Sequence, residues 1–188
     1  EVSGQNHRES KQNNQHVGRF HCYKVVLQIT GVGVELTPYF SKRRIAMLNV
    51  IAKDAQQISA NENVIFTGTR VKSRRCGCSG GWLSHIEGSG LFTITNRSNQ
   101  PMAVELQFNA NVTAAAAGAT ALAIKLNGEV IGGTEMDYTV VTADVYQNVS
   151  ADTLIPVPAG TSLTISAGNI SAGAVTVKDA NLIIKKVA

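Results

Sequence analysis

Between Met102 and Val112 apolar and polar positions alternate without a break. Met102, Val104, Leu106, Phe108, Ala110 and Val112 fall on one side, and Ala103, Glu105, Gln107, Asn109 and Asn111 fall on the other. A period of two is the signature of a strand with one face on a core, and it predicts which face is buried. A second such run, Leu122, Ile124 and Leu126, ends at Asn127-Gly128. That pair accepts positive φ at both central positions of a type I′ turn, so Glu129-Val130-Ile131 is read as the returning strand of a hairpin. One hairpin is marginal in water and needs further strands on its apolar face. Short β-type runs separated by Gly, Asn and Pro supply them at 64–67, 82–86, 90–95, 145–149, 153–157, 162–166 and 175–184. Repeated short strands without intervening helices predict an all-β sandwich or barrel.

Ahead of these runs the pattern changes. Residues 1–19 are polar and rich in Gln, Asn and His, and read as an extended arm. Tyr23, Val25, Leu27 and Ile29 alternate as in a strand or hairpin over 20–40. Between Ser41 and Ala60 the residues Ile45, Leu48, Ala52, Ala55 and Ile58 recur at steps of three and four, the spacing of a short helix, with an extended linker as the competing reading. The expected organisation is a basic, polar N-terminal anchoring segment over 1–46, a linker or short helix over 47–60, and a sandwich over 61–188.

Near the end of the chain Leu182 and Ile184 share one face and Ile183 occupies the other. A sheet with one face on a core normally shows polar residues on its second face. Ile183, with Val64 or Phe66 in the first strand, therefore calls for a second apolar environment.

The residues also carry a resemblance. In order come Val64-Ile-Phe-Thr, a cysteine-containing loop, His85-Ile-Glu-Gly-Ser-Gly90, Phe108-Asn-Ala-Asn-Val112, Leu122-Ala-Ile and Asn127-Gly-Glu129. Asn148-Val-Ser150, Ile155-Pro-Val-Pro-Ala-Gly160 and Asp179-Ala-Asn-Leu-Ile-Ile184 follow. The series resembles the tumour-necrosis-factor-like jelly-roll heads of phage and prophage virion proteins and, more distantly, of spore-surface collagen-like glycoproteins. The resemblance covers residues 61–188 and implies a jelly-roll sandwich that assembles as a homotrimer. Such heads pack about an axis through the sheet holding their first and last strands, which implies Phe66, Asn109, Asn111 and Ile183 as interface residues. The chain departs from the spore proteins in having no Gly-X-Y stalk.

Composition adds less. Hydrophobic residues make up 44% and charged residues 16%, a balance that suits a packed sheet protein and argues against wholesale disorder. No apolar run reaches the roughly 20 residues a membrane-spanning helix requires, so no membrane partner is expected. The charge is unevenly placed: seven Lys/Arg face three acidic residues in 1–46, and the remainder is balanced. A basic arm suits an acidic protein surface or nucleic acid. Cys22, Cys76 and Cys78 are odd in number and lack a framework spacing, which points to synthesis in a reducing compartment; the resemblance implies that this is a bacterial cytoplasm, with the virion as the final location.

Candidate chemistry is sparse. Cys76, Cys78 and His85 lack a fourth zinc ligand, and Cys-X-Cys is too tight for the usual site. Ser84, His85, Glu87 and Ser89 are near neighbours in one strand and turn, whereas a triad is assembled from distant segments; there is also no nucleophile elbow. No enzymatic activity, metal or cofactor is expected. Arg70, Lys72, Arg74 and Arg75 lead into a glycine-rich stretch and read first as an exposed, solvated loop, with contact to nucleic acid or an anionic glycan as the functional alternative. Four Asn-X-Ser/Thr matches, at Asn96, Asn111, Asn148 and Asn169, read as coincidence. The function expected is that of a phage virion protein, a homotrimeric capsid decoration or head fibre joined to the capsid or another virion protein through residues 1–46. The alternative is a module that binds a carbohydrate or receptor on a host surface, as in a tail fibre or a spore or cell surface.

Overall fold

The computed structural model describes residues 46–72, 81–85 and 88–187. They form twelve strands: β1 (Ala46–Ala52), β2 (Gln56–Ile58), β3 (Gly68–Lys72), β4 (Leu83–His85), β5 (Phe92–Thr95), β6 (Met102–Thr113), β7 (Gly118–Leu126), β8 (Glu129–Val130), β9 (Met136–Val140), β10 (Gln147–Val157), β11 (Ser162–Asn169) and β12 (Val175–Lys186). The first sheet runs β10-β6-β12-β1-β3 with β2 also paired to β12; the second runs β4-β5-β11-β7-β8 with β9 also paired to β7. Every strand pair is antiparallel. This is the all-β sandwich that the alternation predicts.

The inner faces meet as predicted. All six apolar residues of β6 from Met102 to Val112 are buried, and Leu122, Ile124, Leu182 and Ile184 join them. The type I′ turn is present: Asn127 and Gly128 have φ of 52° and 90°. Asn127 also ties the turn to β11, donating its backbone N–H to Thr164 O at 2.7 Å while its Oδ1 accepts from Thr164 N at 2.8 Å. Of the stretch expected at 145–149 only 147–149 is strand, and it is continuous with 153–157 in β10, which pairs with β6 along its whole length.

Two expectations are corrected. The helix or linker over 47–60 is instead β1 and β2, with β1 lying between β12 and β3 inside the first sheet. Leu48, Val50 and Ala52 are buried and alternate with half-buried Met47, Asn49 and Ile51, so a period of two governs the segment. Only the step of four from Leu48 to Ala52 is common to both periods; the later steps of three run through Ala55, which is exposed between β1 and β2. The sandwich therefore begins at Ala46 rather than at residue 61. Residues 1–45 lie outside the described residues, and so does the strand or hairpin expected at 20–40.

The second correction concerns 64–67, which forms no regular strand. The segment lies along β11 through single bridges and hydrogen bonds: Asn61 N to Asn169 O, Asn169 N to Glu62 O and Val64 N to Ala167 O, all between 2.8 and 3.1 Å. Its close approach requires glycine beneath it. A Cβ on Gly168 would stand 2.6 Å from Glu62 O, and one on Gly90 would stand 2.7 Å from Val64 O. Gln56 holds the other side, its side-chain amide bonding both Ile65 N and Ile65 O at 2.9 Å in place of a strand partner.

Candidate functional site

The outer face of the first sheet is built by the residues that alternate with the core. Ladder register aligns Asp152, Gln107, Ile183, Asn49 and Val71 in one row across β10, β6, β12, β1 and β3. The next rows contain Leu154, Glu105, Lys185 and Met47 on one side, and Ser150, Asn109, Asn181, Ile51 and Gly68 on the other. Leu154 is 60% exposed and Val71 43% exposed, while Ile183, Ile51 and Met47 are half-buried by their neighbours. A Cβ at Gly68 would press on Ile51 at 3.3 Å, so its absence leaves room for Ile51. The face is a patchwork of aliphatic side chains and amides with one ion pair, Lys185 to Glu105 at 2.9 Å.

The amides divide into two groups. Asn148 Nδ2 donates to Asn111 Oδ1 at 3.2 Å, and Asn111 Nδ2 donates to Asp179 Oδ2 at 3.3 Å, so Asn111 is satisfied within its own sheet. Asn49 and Asn181, by contrast, each bury Oδ1 with no hydrogen-bond partner. An acceptor removed from water and left unpaired costs about 1–3 kcal/mol. Both atoms are closed off by their own chain, so they are a cost carried inside the sheet rather than groups offered to a partner.

Of the four interface residues expected, Asn109, Asn111 and Ile183 share this face. Phe66 does not. It is 0% exposed and packs edge-on against Phe92, ring centroids 5.5 Å apart, inside its own sandwich. Val64, the other residue expected there, is also 0% exposed within the sandwich; both were misjudged because their segment is held by bridges rather than by a regular ladder. Asn49, Ile51, Met47 and Val71 were missed, the first three because their segment was read with helical spacing. The signal that finds them is Leu48-Asn49-Val50-Ile51-Ala52, read with a period of two.

The basic cluster is only partly reached. Arg70 and Lys72 are exposed on β3, an ordered strand rather than a loop; Arg74, Arg75, Cys76, Cys78 and Glu87 lie outside the described residues. A bulge between Asn49 and Val50 in the β1–β3 ladder lets this edge strand fit a twisted neighbour. His85 stacks on Phe92 at 4.2 Å, half-buried against the core. Two of the Asn-X-Ser/Thr asparagines are interior. Asn96 Nδ2 donates to Gln100 O and Val157 O, and Asn169 Nδ2 donates to Ile58 O, Ser59 O and Gly173 O. Neither amide is available to carry a sugar.

The geometry has clear counterparts among solved structures. Murine APRIL, in its structure at pH 5.0, superposes with a TM-score of 0.53 at 10% identity, over 77% of this chain and 100% of that one. Eiger TNF from S. frugiperda gives 0.51 at 9% identity, over 78% and 94%. The fold is tumour-necrosis-factor-like. The globular domain of zebrafish complement 1qA gives a TM-score of 0.49 at 11% identity, over 77% of this chain and 97% of that one. No protein-family model matches the chain, and no curated protein matches it in sequence. The tumour-necrosis-factor-like sandwich thus accounts for the strand order, and the outer-face chemistry is particular to this chain's residues.

Proposed function

We propose that this chain is a non-enzymatic structural protein of a phage virion: a homotrimeric jelly-roll head that decorates the capsid or forms a head fibre. The observation that carries the self-association is the outer face of the first sheet. Ile183, Ile51, Met47, Val71 and Leu154 stand there beside the unpaired Oδ1 atoms of Asn49 and Asn181. Three copies packed about an axis through this face cover the aliphatic side chains, while closing the assembly against further growth. The tumour-necrosis-factor-like fold and the motif resemblance support a trimer in particular. Residues 1–46 hold the whole excess of positive charge and supply attachment to the capsid or another virion protein.

Attachment is tested by expressing the chain alongside virion particles and measuring co-purification with capsids. Because Ala46 opens β1, the truncation that spares the sandwich and removes all seven basic residues of the segment begins at Ile45. The truncated chain is expected to fold, to sediment as a trimer and to be absent from purified particles. Retention on the particles would remove the N-terminal segment as the anchor, and a monomeric parent would end the trimer.

A further inference from the structure

The two edge strands of the first sheet carry opposite charge. β10 holds one ionisable residue, Asp152, whereas β3 holds Arg70 and Lys72, and all three are exposed. Among the described residues the one ion pair is Lys185–Glu105, so none of the three is ion-paired there. The ladders also fix their levels. Asp152 stands at one end of the row that runs through Gln107, Ile183 and Asn49 to Val71, and Val71 is flanked by Arg70 and Lys72. A carboxylate at one edge is therefore level with two cations at the other. Four strand spacings separate them, roughly 19 Å, too far for a contact within one copy.

The irregularity in the β1–β3 ladder turns one of these cations toward the outer face. Asn49 pairs with Val71 and Val50 with Thr69, so Arg70 is the extra residue of the bulge. A bulge re-aims the side chains of its strand. Arg70 accordingly borders a depression of the outer face together with Ile51, Asn109 and Asp179. Asp179 forms no ion pair with it, and its Oδ2 accepts from Asn111 at 3.3 Å.

Edges of opposite sign decide which copies can meet. A two-fold pairing through an edge sets that edge against itself, Arg70 and Lys72 facing their own kind or Asp152 facing Asp152. Like charges so placed repel. In a cyclic assembly the β3 edge of one copy meets the β10 edge of the next, and rotation about an axis along the strands keeps every residue at its own level. The two ends of the row then face each other. We propose that Arg70 and Lys72 of one copy hold Asp152 of the next at each contact of the closed ring. This pairing rests on the self-association proposed above and names the surface that each copy offers its neighbour. It joins side chains rather than extending the ladder, since charges on an edge discourage backbone pairing. Charge pairs of this kind fix register and exclude wrong partners more than they add affinity.

The test is sedimentation equilibrium of the full chain over a concentration series, at about 50 mM and about 500 mM salt. Asp152→Lys sets cation against cation at every contact, and the concentration of half-dissociation should rise about tenfold at the lower salt. The rise should shrink at the higher salt, where such repulsion is screened. Arg70→Glu combined with Lys72→Glu should weaken assembly likewise. Uniting all three substitutions restores opposite charges, and the midpoint should return to within about threefold of the parent. Glu129→Lys, the same change of charge on β8 of the second sheet, should leave the midpoint unchanged. If Asp152→Lys assembles like the parent, or the triple variant no better than its components, the two edges do not meet, although self-association stands. An equal effect of Glu129→Lys would trace the loss to net charge and overturn the pairing. A parent that is monomeric throughout would remove the self-association and the pairing together.

Discussion

Across the outer face of the first sheet lie Leu154, Ile183, Met47, Ile51 and Val71 among asparagines, whereas the second sheet presents Ser84, Thr93, Thr95, Ser162, Thr164, Asp137 and Thr139 outward. The inner faces of the two sheets are alike, both packed with Ile, Leu, Val and Phe. Both sheets are therefore equally good as halves of a sandwich, and they differ only in what they offer beyond it. Threonine and serine suit a pleated surface facing water, since they combine β propensity with a hydroxyl. Isoleucine, leucine and methionine on an outer face suit a second packing partner. Under the proposed trimer, the difference gives self-association to the first sheet and solvent to the second.

The comparison breaks most visibly under a charge. Ile183→Asp is expected to convert the trimer to monomers in sedimentation velocity, because the row through Asn49 and Ile183 would bury an unpaired carboxylate. Thr93→Asp on the second sheet should leave the sedimentation coefficient unchanged. If both substitutions or neither dissociated the assembly, the two outer faces would be equivalent and the assignment would fall.

Much of this was legible in the sequence and some was not. Strict alternation placed the faces of β6 and the Asn127-Gly128 turn because period and turn chemistry agreed there. β1 was hidden because the step of four from Leu48 to Ala52 suits a helix as well as a strand, and seven residues are too few to separate the two. β3 was read as a loop because Arg70 and Lys72 dominate it, yet charges are what edge strands carry to discourage pairing with other chains. β9 has the buried Met136 and Val140 flanking exposed Asp137 and Thr139, a strand pattern that was passed over. The interior role of Phe66 depends on Phe92, 26 residues away, and no local pattern reports it.

The inner faces give the next largest effect. Phe108→Ala removes a fully enclosed ring and should lower the stability of the fold by about 3–5 kcal/mol in urea unfolding. A loss below about 1 kcal/mol would mean that the face shared with Val104 and Leu106 is not the core in solution. Asn169→Ala is expected to cost less, about 1–3 kcal/mol, by leaving the carbonyls of Ile58, Ser59 and Gly173 without their donor. Asn148→Ala, an exposed member of the amide chain, should be near neutral, and a cost equal to that of Asn169→Ala would show that burial is not what separates them.

The smallest effect tests the one cation among the buried polar residues. Lys125 stands on the outer face of β7 opposite Ser166, 7% exposed, and its Nζ donates to Asn61 O at 3.3 Å beneath the segment that crosses Gly168. Burial lowers its pKa from the usual 10.5, so the folded chain holds this proton less tightly than the unfolded chain does. The unfolded state then binds more protons over the window between the lowered value and 10.5, and stability rises with pH there. Well below the lowered value the penalty for the buried ammonium is constant. Tyr138 acts oppositely: burial raises its pKa from 10.0, so its contribution is intact below 10.0 and is lost as pH climbs through the raised value. The two are separated by keeping the measurement under pH 10, from about pH 8 to about pH 9.5. Over that range the urea midpoint of the parent should rise relative to that of Lys125→Met, which has no proton to release at this position. Parallel midpoints would mean that the ammonium is solvated, and that the segment over Gly168 is held by its backbone hydrogen bonds and close packing alone.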